Sequence, residues 1–259
     1  MMSALTESFI DGRSVVSTQY YDNIDPATGR SLGAVAAGGP DEVELAVDAA
    51  MRASRGWRQA SPERRSGILT RIADLIERNS EYLAVLESED TGKPLSQART
   101  DSRVAARYFR FYGHAIDSYY GQAIPLGPDL HVYTRREPFG VTGHIIAWNY
   151  PMQLLSRAVA PAIATGNCPV VKPADETPRT AVAIAELAVQ AGLPAGVLNI
   201  VTGFGACTRS ARTRGQVGPN RVRRRRPRPG GCHDHQGDPA ERRADLLGGI
   251  TTARALINP

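Results

Sequence analysis

The chain has 259 residues, 42% hydrophobic and 22% charged, which excludes a low-complexity or fibrous protein and allows one large domain or two small ones. Its formal net charge of +5 is unevenly spread: up to Ala206 there are 19 basic against 22 acidic residues, and from Cys207 onward 12 Arg, no Lys and 4 acidic residues. No run is apolar enough for a bilayer, residues 1–7 lack the basic and apolar segments of a signal peptide, and Cys168, Cys207 and Cys232 lack zinc-site or disulfide spacing, so a cytoplasmic protein is expected.

In chain order, Phe9-Ile10-Asp11-Gly12 and Ile24-Asp25-Pro26-Ala27-Thr28-Gly29 read as short strands broken by turns, because Asp-Pro and Thr-Gly are turn chemistry. Helical periodicity begins at Asp41, an N-cap residue type, with Val43, Ala46, Val47 and Ala50 on one face. Ser61-Pro62 opens a second helix whose stripe is Ile68, Leu69, Ile72, Leu75 and Ile76. A third helix spans 80–91 and stops at Gly92, and a fourth runs over 95–119 with Tyr108, Phe109 and Tyr112. Residues 121–138, punctuated by Pro125, Gly127 and Pro128, predict a two-stranded excursion.

From Val141 the pattern alternates. Residues 141–146 form an apolar strand, 154–164 a helix, and 169–172 a second strand. Thr177-Pro178 then looks like an N-cap with Pro at the first helical position, Ile184, Leu187, Ala188 and Ala191 share a face, Gly192 ends the helix, and 196–201 make a third strand. Strands joined by single helices pair in parallel through right-handed crossovers, so the fold class is α/β: a Rossmann-like, doubly wound parallel sheet with N-terminal helices and a β-hairpin arm.

Three motifs in order carry the functional signal: Val141-Thr142-Gly143-His144-Ile145-Ile146-Ala147-Trp148-Asn149-Tyr150-Pro151, then Val170-Val171-Lys172-Pro173-Ala174-Asp175-Glu176-Thr177-Pro178, then Gly196-Val197-Leu198-Asn199-Ile200-Val201-Thr202-Gly203-Phe204-Gly205. With them, residues 9 to about 206 resemble the cofactor-binding half of an NAD(P)-dependent aldehyde dehydrogenase. The resemblance implies a dinucleotide site at the carboxyl ends of the strands, with Ile145, Ile146, Ala147, Trp148, Lys172, Asp175 and Gly205 against the cofactor. It makes Asn149 the oxyanion donor, Lys172 a donor to ribose hydroxyls, and Asp175 the acid that accepts from them and repels a 2′-phosphate, so NAD is expected ahead of NADP. Members often have Pro at the Ala147 position and Glu at the Asp175 position, and Glu176 is an alternative ribose partner. Read without the resemblance, Asn149 is a turn residue or a helix cap, Lys172 a solvated Lys-Pro turn, and Asp175 a helix-start acid. The family's hairpin arm reaches a neighbouring subunit, which implies a homo-oligomer through 121–138; a plain surface hairpin is the equal alternative.

The same resemblance requires a nucleophilic Cys and a Glu that activates water, in segments reading roughly Glu-Leu-Gly-Gly-Lys and Gly-Gln-x-Cys, and neither is recognisable here. Cys168 reads as a structural thiol, while Cys207 and Cys232 have no matching context. Residues 207–259 form an aberrant Arg/Pro/Gly-rich tail, expected to be disordered. Read one base later, Asn220-Arg221-Val222-Arg223 permits Ile-Ala-Phe-Gly, and Cys232-His233-Asp234-His235-Gln236 permits Ala-Met-Ile-Ile-Lys, as a shifted reading frame would produce. The expected function is aldehyde oxidation to the acid with NAD(P), with this chain a truncated cofactor-side fragment. The alternatives are a catalytically dead cofactor-binding or interaction subunit and, as the weakest reading, a nucleic-acid binder through Arg223-Arg224-Arg225-Arg226, which lacks interleaved aromatics.

Overall fold

The computed structural model describes residues 5–125 and 131–205, and the predicted tail, with Cys207 and Cys232, lies outside them. Two hairpins open the chain. Strands β1 (Ser8–Ile10) and β2 (Arg13–Val15) pair antiparallel about Asp11 and Gly12, both at positive φ, while β3 (Tyr20–Ile24) and β4 (Ser31–Ala36) pair about the Asp25-Pro26 turn.

Helix α1 (Pro40–Trp57) begins two residues earlier than Asp41 as N-cap implied. Gly39 is its N-cap, Pro40 takes the first helical position, and the Glu42 carboxylate reaches back to the Gly39 N–H at 2.7 Å. Helix α2 (Pro62–Arg78) starts where expected, with Ser61 Oγ accepting from the Arg64 N–H, and α3 (Ser80–Thr91) ends on Gly92 at φ 71°. Helix α4 (Leu95–Ala115) stops four residues short of Tyr119, since residues 116–118 tighten into a single 3-10 turn. Strands β5 (Ala123–Pro125) and β6 (His131–Tyr133) make the expected two-stranded arm.

The α/β part follows: β7 (Val141–Ile145), α5 (Pro151–Ala164), β8 (Cys168–Lys172), α6 (Arg179–Gln190) and β9 (Asn199–Ile200). Helix α5 begins three residues before the expected Leu154 because Pro151 is tolerated in its first turn. Thr177 does not cap α6: its Oγ1 is buried without a partner among the described residues, Pro178 occupies the cap position, and the Arg179 N–H is received by the Asp90 carboxylate of α3 at 3.1 Å.

The sheet order is β2-β1-β9-β8-β7. Strands β7, β8 and β9 are parallel, in register Val141↔Cys168, Ile145↔Lys172 and Val171↔Ile200, as the alternating pattern required. The β1–β2 hairpin adds antiparallel to β9, Phe9 facing Ile200, so the described sheet is mixed at one edge. Buried polar chemistry welds this join: Ser8 Oγ pairs with Thr202 Oγ1, which donates to the Ala36 carbonyl at 2.8 Å. Ala46 and Ala49 of α1 pack with Ile10 and Val201, whereas α5 and α6 bring Leu155, Val159, Ile184 and Ala188 into the larger core with Phe9, Val171 and Ile200. Among the described residues no helix is long and apolar enough to cross a membrane.

Candidate active site

The parallel register brings two of the three motifs to one end of the sheet. Ile145, the last residue of β7, is paired with Lys172, the last residue of β8, and the Ile146 N–H continues the ladder to the Lys172 carbonyl at 2.9 Å. A parallel sheet that ends this way presents its loops, not its strands, to a ligand. The third motif joins through an aromatic bridge: Tyr21 of β3 packs its ring 4.7 Å from that of Phe204, and its hydroxyl donates to the Asp175 carbonyl at 2.8 Å. Burial first, then the Asp175 charge, hold the Tyr21 phenol above its ordinary value, so it stays a donor.

Lys172 and Asp175 meet each other. The Lys172 ammonium, 7% exposed, donates to Asp175 Oδ1 at 2.6 Å and to the Pro173 carbonyl at 2.6 Å, which leaves one of its three N–H groups for another partner. The sequence pattern pointed both side chains at a ribose, and their mutual ion pair was not foreseen. It has a local cause: the Lys-Pro-Ala-Asp turn places a carboxylate three residues after the ammonium, where a nearly buried cation needs a counterion.

The β7 loop is more exposed. Ile145, at the end of β7, is 67% and Trp148 59% exposed, and with Phe204 at 48% they are large apolar groups left open where the strands give way to loops. Ile146 differs from the expectation: it is 5% exposed and belongs to the core, so only its backbone can face a ligand. Trp148 also lines a cleft of about 380 Å³ with Glu176, Thr177, Asp90, Thr91, Ile24 and Pro26. Gly203, at φ 122°, is fixed by packing, since a Cβ there would lie 2.6 Å from the Gly38 carbonyl oxygen; a Cβ at Gly205 would meet nothing within 4 Å. The glycine at 205 is therefore not demanded by the described packing.

Asn149 follows Trp148 on an exposed corner, and its side-chain amide has no protein partner among the described residues. Its backbone is held from below. Lys93 Nζ donates to the Asn149 carbonyl at 3.1 Å, and Gln97 Nε2 donates to the Tyr150 hydroxyl at 3.0 Å. The cluster behind this was not read from the sequence. Lys93, on the turn between α3 and α4, pairs with Glu87 at 3.0 Å and Asp101 at 2.7 Å, all three side chains nearly or wholly buried. Burial, only partly offset by Lys93, pushes the Glu87 carboxyl up to about 7. The signal that could have found it is an acid on each buried turn of α3: Glu87 and Asp90 share the face of Leu83 and Leu86. Glu87 accepts the Met152 N–H at the start of α5 at 3.3 Å, just as Asp90 accepts at the start of α6. One helix thus caps both crossover helices.

Beyond the corner, Tyr150, Gln153, Leu154 and Arg157 of the α5 segment and Tyr108 of α4 line a cavity of about 160 Å³. Cys168 stands at the other end of β8 from Lys172, fully buried, its thiol pushed up to about 12 by burial. Burial of this kind suits a structural thiol and disfavours the thiolate that nucleophilic attack needs.

Comparisons with known proteins agree with this geometry. The aldehyde dehydrogenase family model matches residues 13–215, nine residues beyond Ala206, so the family pattern persists further than the motifs alone implied. A long-chain-aldehyde dehydrogenase of Acinetobacter sp is 42% identical over 203 residues, 77% of this chain and 40% of that protein. The mitochondrial aldehyde dehydrogenase of Homo sapiens is 42% identical over 73% of this chain and 38% of its own length. A mutant of P. syringae AldA, an indole-3-acetaldehyde dehydrogenase solved with NAD+ and IAA, superposes with a TM-score of 0.77 at 37% identity, over 79% of this chain and 42% of that one. The chain spans about 40% of the length of the relatives it matches. It belongs to the aldehyde dehydrogenase family.

Proposed function

We propose that this chain is the cofactor side of an NAD-dependent aldehyde dehydrogenase. The observation that carries the reading is the Ile145↔Lys172 register, which sets an exposed apolar loop beside a buried, donor-bearing lysine at the carboxyl end of a parallel sheet. The residues fit a dinucleotide. Lys172 keeps one N–H for a ribose hydroxyl, Asp175 Oδ2 remains to accept from one, and Ile145, Ala147 and Trp148 offer an open, largely apolar surface for a flat ring. The backbone at Ile146 and at Gly205 completes that surface.

When bound, NAD would accept the hydride from the aldehyde carbon after a nucleophile has added to it; that nucleophile, and the group that activates the water supplying the acid's second oxygen, are not among the residues recognised here. Asn149 donates from its side-chain amide to the oxygen that gains negative charge as the aldehyde carbon is attacked, a contribution of about 10²–10³ in rate for one donor of this kind. Lys172 and Asp175 hold the ribose and favour NAD over NADP, and the arm formed by β5 and β6 serves as the contact between copies of the chain. The compositional break after residue 206 supports a change of reading frame in the gene, which resequencing tests directly.

The decisive experiment is titration of the purified chain with NAD, followed by Trp148 quenching in a Trp57→Phe background. Saturable quenching is expected, and Lys172→Ala should weaken NAD and NADP alike, by roughly tenfold for a charge-assisted contact. No binding by the folded wild-type chain would overturn the proposal.

A further inference from the structure

The side chain expected to face the reacting oxygen, Asn149, is exposed and makes no hydrogen bond among the described residues, so its direction is inherited from its backbone. That backbone leaves the sheet at Ile146, whose N–H is the last rung of the ladder, and becomes regular again at Pro151, where α5 begins. Between these points the chain turns without secondary structure. Its main polar anchor is Lys93, whose ammonium has three N–H groups and three acceptors: Glu87, Asp101 and the Asn149 carbonyl.

We propose that Lys93 is a positioning residue: the buried Glu87–Lys93–Asp101 cluster clamps the Asn149 carbonyl to α3 and α4 and thereby sets where the Asn149 amide stands. The inference rests on the reading of Asn149 as oxyanion donor. Neighbouring contacts act in the same sense. Gln153 Nε2 donates to the second Asp101 oxygen at 2.6 Å, Met152 N–H to the second Glu87 oxygen, and the Lys93 ammonium lies 4.5 Å from the centre of the Tyr150 ring. Residues 149, 150, 152 and 153 are therefore each tied to one buried charge cluster. A buried ion pair seldom stabilises a fold more than apolar residues of the same size would. What this one adds is direction, because the third donor of the lysine goes to the main-chain carbonyl of the very residue whose side chain carries the functional amide.

The test is site-resolved hydrogen exchange on the full chain. In Lys93→Met, the hydrogen-bonded amides flanking the corner, Ile146, Met152 and Leu154, should exchange about tenfold faster, with those of β8 and of α2 unchanged. Equal acceleration across the chain would make Lys93 a stability residue only, and no acceleration at the corner would remove its role; either overturns the proposal. Should Lys93→Met fail to fold, Lys93→Arg keeps the charge for both carboxylates but not the compact third donor, and should still loosen the corner selectively, by about threefold or more. A corner that stays as protected as in the wild type would again overturn it. NAD titration of the wild type separates the two readings. A wild-type chain that binds no cofactor, with a Lys93→Met corner that loosens selectively, sinks the functional reading and leaves the clamp; the reverse pair of results does the opposite.

Discussion

Replacing Asp175 by Ala should change which cofactor this chain prefers, and the structure sets the size of the change. The carboxylate is one-third exposed and pairs with a nearly buried Lys172 at 2.6 Å. A 2′-phosphate placed about 5 Å from it, at an effective dielectric near 40, meets a repulsion of roughly 1.7 kcal/mol per unit charge, or roughly 3 kcal/mol for its two charges. Exposure and salt reduce this by about half, to roughly 1.5 kcal/mol, which is about tenfold in affinity. NAD loses the accepted ribose hydrogen bond, while Lys172 is left without its counterion and turns toward any phosphate nearby. The NAD-to-NADP affinity ratio should therefore fall by about tenfold or more in Asp175→Ala, measured by calorimetric titration at low and high salt. An unchanged ratio would show that the carboxylate does not face the ribose, and the same measurement on Glu176→Ala would then identify the acid that does.

Three further outcomes are expected. Glu87 has its folded value raised to about 7 from an ordinary 4.5, so it contributes stability below about pH 4.5 that is lost as pH rises through 7; Glu87→Gln, which keeps an acceptor for the Met152 N–H, should flatten that fall by at most about 3 kcal/mol in denaturant titrations across this range. Gly203→Ala forces a Cβ against the Gly38 backbone at positive φ and should cost about 2–4 kcal/mol, read as a lower unfolding midpoint, whereas Gly205→Ala should not. In a Cys207→Ser, Cys232→Ser double variant, Cys168 should react with a thiol reagent only after denaturant is added, and fast labelling of the native chain would contradict its burial.

Most of the fold was legible because its signals are local. Ser61-Pro62, Gly92 and the stripe of Ile68, Leu69, Ile72 and Ile76 mark helix ends and faces by chemistry that acts within a few residues. The alternation after Val141 specified parallel pairing without any knowledge of partners. Where the reading slipped, a distant group had replaced a local one. Thr177 has the residue type of an N-cap, yet Asp90 from α3 takes that role, and the Thr177 hydroxyl has no partner among the described residues. Nor could alternation reveal that β1 would add antiparallel to β9, since that pairing joins residues 9 and 200 through one bridge and a buried Ser8–Thr202 contact.

The site divides along the same line. Its positions were readable as motifs, because a strand end followed by Trp148-Asn149 or Lys172-Pro173 is contiguous in sequence. Its electrostatics were not, because they depend on which charges burial throws together. Lys172 and Asp175 bond to each other, so on the proposed reading a ribose would share the two groups, and cofactor preference would reflect a balance within the pair instead of two independent contacts. Glu87, Lys93 and Asp101 look in sequence like the ordinary charges of two surface helices and their turn. In the fold they are buried, and two negative charges share one positive. Burial, only partly offset by Lys93, raises Glu87 to about 7, and three acceptors at once hold the Lys93 ammonium in place. If Asn149 is the oxyanion donor proposed above, a lysine fixed beneath its carbonyl would make the corner a preorganised element, which is what stabilising a developing oxyanion demands: a donor already in place costs no reorganisation when the charge appears.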